Sequence, residues 1–161
     1  MNTITWYDEL DSPLGRLVLA AGRAGLCGVY FTRQKWFPAD TREWVRDPVP
    51  LAGAADWLNQ YFAGGVADYA GPLSPTGTEF QREVWRMLQK IPRGRTATYG
   101  DVALLMGRPT AHRAVGAAIG RNPISLIIPC HRVVGADGRL TGYAGGLERK
   151  EHLLRLEGWR P

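Results

Sequence analysis

The sequence predicts an α/β protein: a small N-terminal lobe with an antiparallel sheet and a helix, then a mainly helical C-terminal lobe carrying a winged-helix-like helix-turn-helix. Three observations predict it. The first thirty-odd residues hold three short segments rich in β-branched and aromatic residues, divided by Gly/Pro turns. Residues 63–77 (AGGVADYAGPLSPTG) form a Gly/Pro-rich break. From Thr78 onward, apolar residues recur at helical spacing behind capping signatures. The expected division is therefore 1–77 as a supporting lobe and 78–161 as the working domain.

ITWYDEL, GRLVLAA and GLCGVYF read as strands, and the DSPLG and GRAG turns between them are short enough for an antiparallel meander. RQKWFPADTREWVRDPVP reads as an irregular, Pro-punctuated stretch. LAGAADWLNQYF (51–62) reads as a helix. Thr78 with Gln81 makes a capping box for FQREVWRMLQKI, in which Phe80, Val84, Leu88 and Ile91 share a face. Thr98 opens YGDVALLMG, with Asp101 well placed against the helix dipole. Gly107 and Pro109 break the chain, and Thr110 is expected to cap a third helix, AHRAVGAAIG. Helix, short break and helix is helix-turn-helix spacing. SLIIPCHRVVGADGRLTGY reads as a buried strand-like run, a polar insertion at the cysteine, and a hairpin turned at Ala136-Asp137-Gly138. GLERKEHLLRLEG (146–158) reads as a helix closed by Gly158.

With 45% apolar and 22% charged residues, the composition is that of a globular rather than a disordered chain. No apolar run approaches the ~18 residues of a membrane span. The N-terminus carries acidic residues where a secretory signal would be basic and then apolar. An intracellular, cytoplasmic protein without membrane association is expected. Two cysteines, Cys27 and Cys130, are too few for a disulfide framework. No CxxC or HxxxH spacing is present, so neither metal nor cofactor is expected.

The net charge of +5 is unevenly placed: residues 1–77 carry 6 basic and 8 acidic side chains, and residues 78–161 carry 14 and 7. From Lys90 to Arg121 there are six cations and Asp101 alone against them. Such a lobe suits a polyanion, although a solubilising basic face explains charge alone equally well.

On the third helix Ala111, Val115, Ala118 and Ile119 should pack inward. The outer face holds Arg113, Ala117, Gly120 and Arg121, with Gly116 beside them. A face this bare has little with which to read base edges in a major groove. It does allow close approach of the helix to a minor groove only ~6 Å wide, with Arg113 as an inserted side chain. A tight helix–helix contact would use the same small residues.

Cys130 lies in IPCHRVV, where Pro129 interrupts any strand ladder and His131 and Arg132 bring potential cations to the thiol. Cations favour the nucleophilic thiolate. A buried cysteine is otherwise an inert small hydrophobe, which is the reading for Cys27. A histidine between the thiol and a carboxylate of the last helix would take the thiol proton and hold the charge.

PCHRVV, preceded by RAVGAAIGRNP and followed by GRLTGYAGGLERKEHLLRLEG, resembles the O6-alkylguanine-DNA alkyltransferases, also called methylated-DNA–protein-cysteine methyltransferases. The resemblance runs from about Phe80 to Gly158 and continues more weakly into SPLG and LNQYF. It implies that Cys130 accepts the alkyl group, that His131 is a water-linked general base, and that Glu157 orients it. It implies that Asn122 braces the turn before the cysteine and that Arg113 fills the gap left by a flipped nucleotide. Tyr99 would lie near guanine N3 and the DNA backbone. The Val133 carbonyl would face the guanine amine, and Tyr143 would form a pocket wall. Thr110, Ala114, Ala117, Gly120 and Arg121 would meet the DNA. Ala144 stands where some relatives carry serine, which leaves a backbone N–H for the O6 contact. The N-terminal lobe lacks the Cys/His set of zinc-binding relatives.

The implied partner is double-stranded DNA with O6-alkylguanine, gripped through the minor groove by a monomer; cooperativity on DNA and activity on O4-alkylthymine are left open. The target carbon is sp3, so a soft thiolate displaces guanine, whose charge a phenol and a backbone N–H would stabilise. The thioether product offers no route back, so each molecule would act once. A lesion-binding protein without transfer activity would lack the acceptor cysteine, and a cysteine hydrolase would turn over.

Overall fold

The computed structural model describes residues 3–160. The chain divides after Thr76 into two compact units.

In the first, β1 (Trp6–Ser12), β2 (Gly15–Gly22) and β3 (Gly25–Phe31) form the expected antiparallel meander. β2 lies between its two neighbours in the sheet, and Leu17, Val18, Leu19, Ala20 and Ala21 are all buried. Helix α1 (Ala52–Phe62) follows a 3-10 turn at Val49–Leu51 and buries Ala54, Leu58 and Tyr61, one helical stripe.

The stretch read as irregular contributes a fourth strand. β4 (Val45–Arg46) pairs parallel to β1, Trp6 opposite Val45 and Tyr7 opposite Arg46, so the sheet order is β3-β2-β1-β4. Two residues carry no periodicity to detect; the pairing is held by tertiary contacts such as Arg46 to Asp8 at 3.2 Å. The Gly/Pro-rich segment is tied to this unit. Leu26 exchanges backbone hydrogen bonds with Pro72 and Ser74 at 3.0 and 2.7 Å. Gly25 (φ +139°) permits the approach, since a Cβ there would lie 2.5 Å from the Pro72 carbonyl oxygen.

The second unit is built on α2 (Glu79–Leu88), α3 (Tyr99–Leu105) and α4 (His112–Gly120). The Thr78/Gln81 capping box is present, and Thr98 forms a second one with Asp101. α2 and α3 both pack on α4. The fully buried Trp85 of α2 donates its indole N–H to the Ala118 carbonyl at 2.8 Å. α3 ends at Gly107 (φ +70°), where Gly107 and Arg108 donate to the carbonyls of Leu104 and Ala103. After Val134 the chain turns through 136–138, closed by Gly135 N–H to the Arg139 carbonyl at 2.9 Å. α5 (Leu147–Leu156) closes the unit, and Gly158 (φ +95°) ends it as expected.

Two sequence expectations are corrected here. Thr110 does not cap α4. Ala111 occupies that position without a side-chain bond, because its N–H closes a turn onto Arg108 at 2.9 Å and delays the helix by one residue. The apolar run before the cysteine is not a strand. Residues 124–128 fold into a turn closed by Ile128 N–H to the Ile124 carbonyl at 3.0 Å, with buried Leu126 at φ +70°. Extended pairing resumes only at β6 (Val133–Val134), parallel to β5 (Ala97–Thr98).

Candidate active site

Cys130 opens a 3-10 turn, Cys130–Arg132, directly after Pro129. Asn122 shapes the approach. Its side chain accepts from Ile124 N–H at 3.0 Å and donates to the carbonyls of Ile128 at 2.8 Å and Ile124 at 3.4 Å. A single buried amide thereby closes both ends of the 124–128 turn, and its polar side chain also draws the Cys130 thiol down.

Cys130 is 6% exposed and His131 0%. The His131 Nε2 lies 2.8 Å from a Glu157 carboxylate oxygen. The helix cap presents that carboxylate: Glu157 is the last residue before Gly158, where Gly158 and Trp159 donate to the carbonyls of Arg155 and Leu154. Arg132 completes the group. Its Nε and Nη2 donate to Glu157 at 2.7 and 3.1 Å, and its Nη1 donates to the Ile91 carbonyl at 2.6 Å.

The electrostatics differ from the simplest sequence reading. Burial pushes the Cys130 thiol up, and the Asn122 hydrogen bond and the Lys150 charge pull it partly back. Burial pushes His131 down against the opposing pull of Glu157, so the imidazole is neutral at physiological pH. With Nε2–H donated to Glu157, Nδ1 keeps its lone pair, and this buried atom makes no hydrogen bond among the described residues. His131 is therefore a neutral imidazole rather than a cation beside the thiol, and Arg132 spends its charge on Glu157. The cation that acts on Cys130 is Lys150.

Lys150 escaped the sequence reading. It is completely buried, and Nζ donates to the carbonyls of Thr141 at 2.7 Å and Gly142 at 3.3 Å. A signal existed: Lys150, Leu153, Leu154 and Glu157 follow i, i+3, i+4, i+7 spacing, one inward stripe with a charge at either end. Thr141 was missed as well; its hydroxyl lies 3.1 Å from the Tyr99 phenol. Tyr99, the first residue of α3, is thus joined to the loop that carries Tyr143 and Ala144, both half-buried. Val133 is fully buried in β6.

On α4, Val115, Ala118 and Ile119 are buried. Arg113, Ala114, Ala117 and Arg121 are exposed, with Gly116 and Gly120 half-buried among them. Thr110 is exposed in the preceding turn. The bare outer face is solvent-facing within this unit. Of the expected set, the structure groups Cys130, His131, Glu157 and Asn122, and Tyr99 is joined through Thr141 to the loop that Lys150 holds. Among the described residues no group of three or more His, Cys, Asp or Glu could hold a metal, and no helix is long and apolar enough to cross a membrane.

Comparison with known proteins gives the same relationship over both units. Residues 5–75 match the ribonuclease-like domain of 6-O-methylguanine DNA methyltransferase, and residues 79–159 match its DNA binding domain. A methylated-DNA–protein-cysteine methyltransferase of Mycolicibacterium paratuberculosis is 48% identical over 151 residues, covering 94% of this chain and 91% of that one. One of Methanosarcina acetivorans is 47% identical over 153 residues, with coverages of 95% and 98%. A crystal structure of Mycobacterium tuberculosis OGT in complex with DNA superposes with a TM-score of 0.88 at 46% identity, covering 94% of this chain and 92% of that one. The chain belongs to the 6-O-methylguanine DNA methyltransferase family.

Proposed function

We propose that this protein repairs DNA by moving an alkyl group from O6 of guanine onto Cys130, once per molecule. The observation that carries the reading is the buried Cys130 turn backed by a neutral His131 whose Nε2 is held by Glu157. The thiol proton leaves for His131 Nδ1 through a bridging water. The sulfur then attacks the sp3 carbon, an S–C bond forms, and the C–O6 bond breaks with its electron pair on guanine. Guanine gains a proton, so overall the thiol proton ends on the base. The Tyr99 phenol near N3 and the Ala144 backbone N–H near O6 oppose the charge as it develops. The thioether formed has no leaving group that water can use, and the molecule is spent.

The partner is double-stranded DNA containing O6-alkylguanine. The bare face of α4 enters the minor groove, with Thr110, Ala114, Ala117, Gly120 and Arg121 against the DNA and Arg113 in the vacated stack. The nucleotide rotates into a pocket of Val133, Tyr143 and Ala144. Residues 78–161 bind DNA and perform the transfer as a monomer, and residues 1–77 support them.

Intact-protein mass spectrometry with peptide mapping, after incubation with an O6-methylguanine duplex, tests this. One methyl group on Cys130, saturating at one per protein and lost in Cys130→Ala, is the expected result. Lesion loss with no mass change would indicate a hydrolase. A bound, intact lesion would indicate a binding protein without transfer.

A further inference from the structure

An ammonium removed from water is costly unless an anion or a full set of acceptors replaces the solvent. Lys150 is 0% exposed, yet the two backbone carbonyls of Thr141 and Gly142 are the acceptors at its three-donor head. Dipoles at 2.7 and 3.3 Å supply no counter-charge. The other charges of the cluster are already matched, since the Glu157 carboxylate is bound by the Arg132 guanidinium at 2.7 and 3.1 Å. His131 is neutral. On α5 itself, Glu151 is turned to Arg155 at 2.9 and 3.2 Å, and Glu148 and His152 are exposed. From α3, the Tyr99 phenol is held by the Thr141 hydroxyl; from the loop, Tyr143 follows the two pinned carbonyls. α5, which carries Lys150, packs directly against the Cys130–Arg132 turn, so the buried ammonium bears on His131 and Cys130, and of these two Cys130 is the one that can answer it as an anion.

We infer that Lys150 is a positioning residue for the transfer: it is the buried counter-ion of the Cys130 thiolate, and it pins the Thr141–Gly142 backbone leading to Tyr143 and Ala144. The inference rests on Cys130 being the acceptor. Each charge steadies the other. The ammonium pulls the thiol down, the thiolate pulls the ammonium up, and burial opposes both, leaving Lys150 lowered to about 8. Methylation removes the group that can carry the matching negative charge and leaves a buried cation facing two carbonyls. Lys150 should therefore release its proton more readily once Cys130 is methylated.

Two measurements test this. The first is NMR titration of side-chain-labelled lysine in the wild-type protein, before and after stoichiometric reaction with an O6-methylguanine duplex. The second is the pH profile of Cys130 carboxamidomethylation by iodoacetamide, mapped separately from Cys27, in wild type, Lys150→Arg and Lys150→Met. Methylation is expected to lower the Lys150 midpoint by about one pH unit or more. Lys150→Met should raise the Cys130 midpoint by a comparable amount, with Lys150→Arg close to wild type. A lysine that merely props the loop would titrate alike before and after methylation, and its replacement would change Cys130 reactivity equally at every pH. Either result would overturn the inference, and the NMR measurement stands even if Lys150→Met misfolds. Failure of Cys130 to take up methyl would overturn the functional reading and the inference together, whereas normal uptake with unshifted midpoints would overturn the inference alone.

Discussion

His131 Nε2 and the Glu157 carboxylate meet at 2.8 Å, with both side chains fully buried. The pair joins a 3-10 turn to a helix cap, and the same carboxylate also binds Arg132 at 2.7 Å. Glu157 thus holds the His131 ring and neutralises a guanidinium 13% exposed. Glu157→Gln keeps the shape and removes the charge. It should slow single-turnover transfer on the order of tenfold or more by weakening the hold on the His131 ring and its tautomer. It should also destabilise the fold by about 3 kcal/mol, because Arg132 loses its counter-ion. Rapid-quench kinetics and urea denaturation read the two effects; an unchanged transfer rate would remove Glu157 from the chemistry.

His131 also sets a pH dependence of stability. Its folded value is pushed below the ordinary 6.5, chiefly by burial. As pH falls below about 6.5, the unfolded chain takes up a proton that the folded one refuses. The stability this group contributes is therefore full above 6.5 and is lost as pH falls toward the lowered folded value. The loss is at most about 1.4 kcal/mol per pH unit. Urea denaturation from neutral to mildly acid pH, on wild type and His131→Gln, should show a steeper decline for wild type. Parallel declines would mean that His131 is not held neutral.

Asn122→Ala leaves the carbonyls of Ile128 and Ile124 and the N–H of Ile124 without their partner in a buried turn. About 3 kcal/mol of stability should be lost, since each orphaned buried group costs ~1–3 kcal/mol. Leu126 in the same turn is at φ +70°, so the backbone there opens readily once the brace is gone. Amide hydrogen exchange of residues 124–130 should accelerate more than that of α2; uniform acceleration would show that Asn122 stabilises the unit without bracing the turn.

How far the sequence reveals these features depends on where the information lies. The meander strands were legible because tight turns separate them, and α2 and α3 because Thr78/Gln81 and Thr98/Asp101 are local signatures. β4 was not, because two residues pair through contacts distant in the chain. Residues 124–128 read as a strand from apolarity alone, whereas Asn122, outside the run, folds them into a turn. The candidate acceptor, base and carboxylate were legible through family resemblance. The source of positive charge was not: Arg132, two positions after the cysteine, turns to Glu157, and Lys150, twenty positions after the cysteine, takes its place.

The bare face of α4 predicts intolerance of bulk and negative charge. Ala117 is exposed, so Ala117→Glu should leave thermal stability unchanged within ~0.5 kcal/mol. A carboxylate facing phosphates should weaken duplex binding on the order of tenfold at low salt, and less as salt screens it. Fluorescence anisotropy over a salt series checks this. Unchanged affinity would place the DNA on another surface.

The role proposed for Arg113 separates recognition of the duplex from the chemistry. It is exposed on α4 and makes no hydrogen bond or ion pair among the described residues, so its removal costs the fold little. Flipping a nucleotide costs a few kcal/mol, and a side chain filling the vacated stack offsets part of that. Each 1.4 kcal/mol is tenfold in rate. Arg113→Ala should therefore slow repair of duplex O6-methylguanine by about tenfold or more. A free O6-substituted guanine needs no flipping, and its reaction with Cys130 should proceed at nearly the wild-type rate. Parallel measurement of the two substrates isolates the flipping step, because both end in the same S–C bond. Equal slowing on both would put Arg113 in the pocket chemistry, and no slowing on either would remove it from the mechanism.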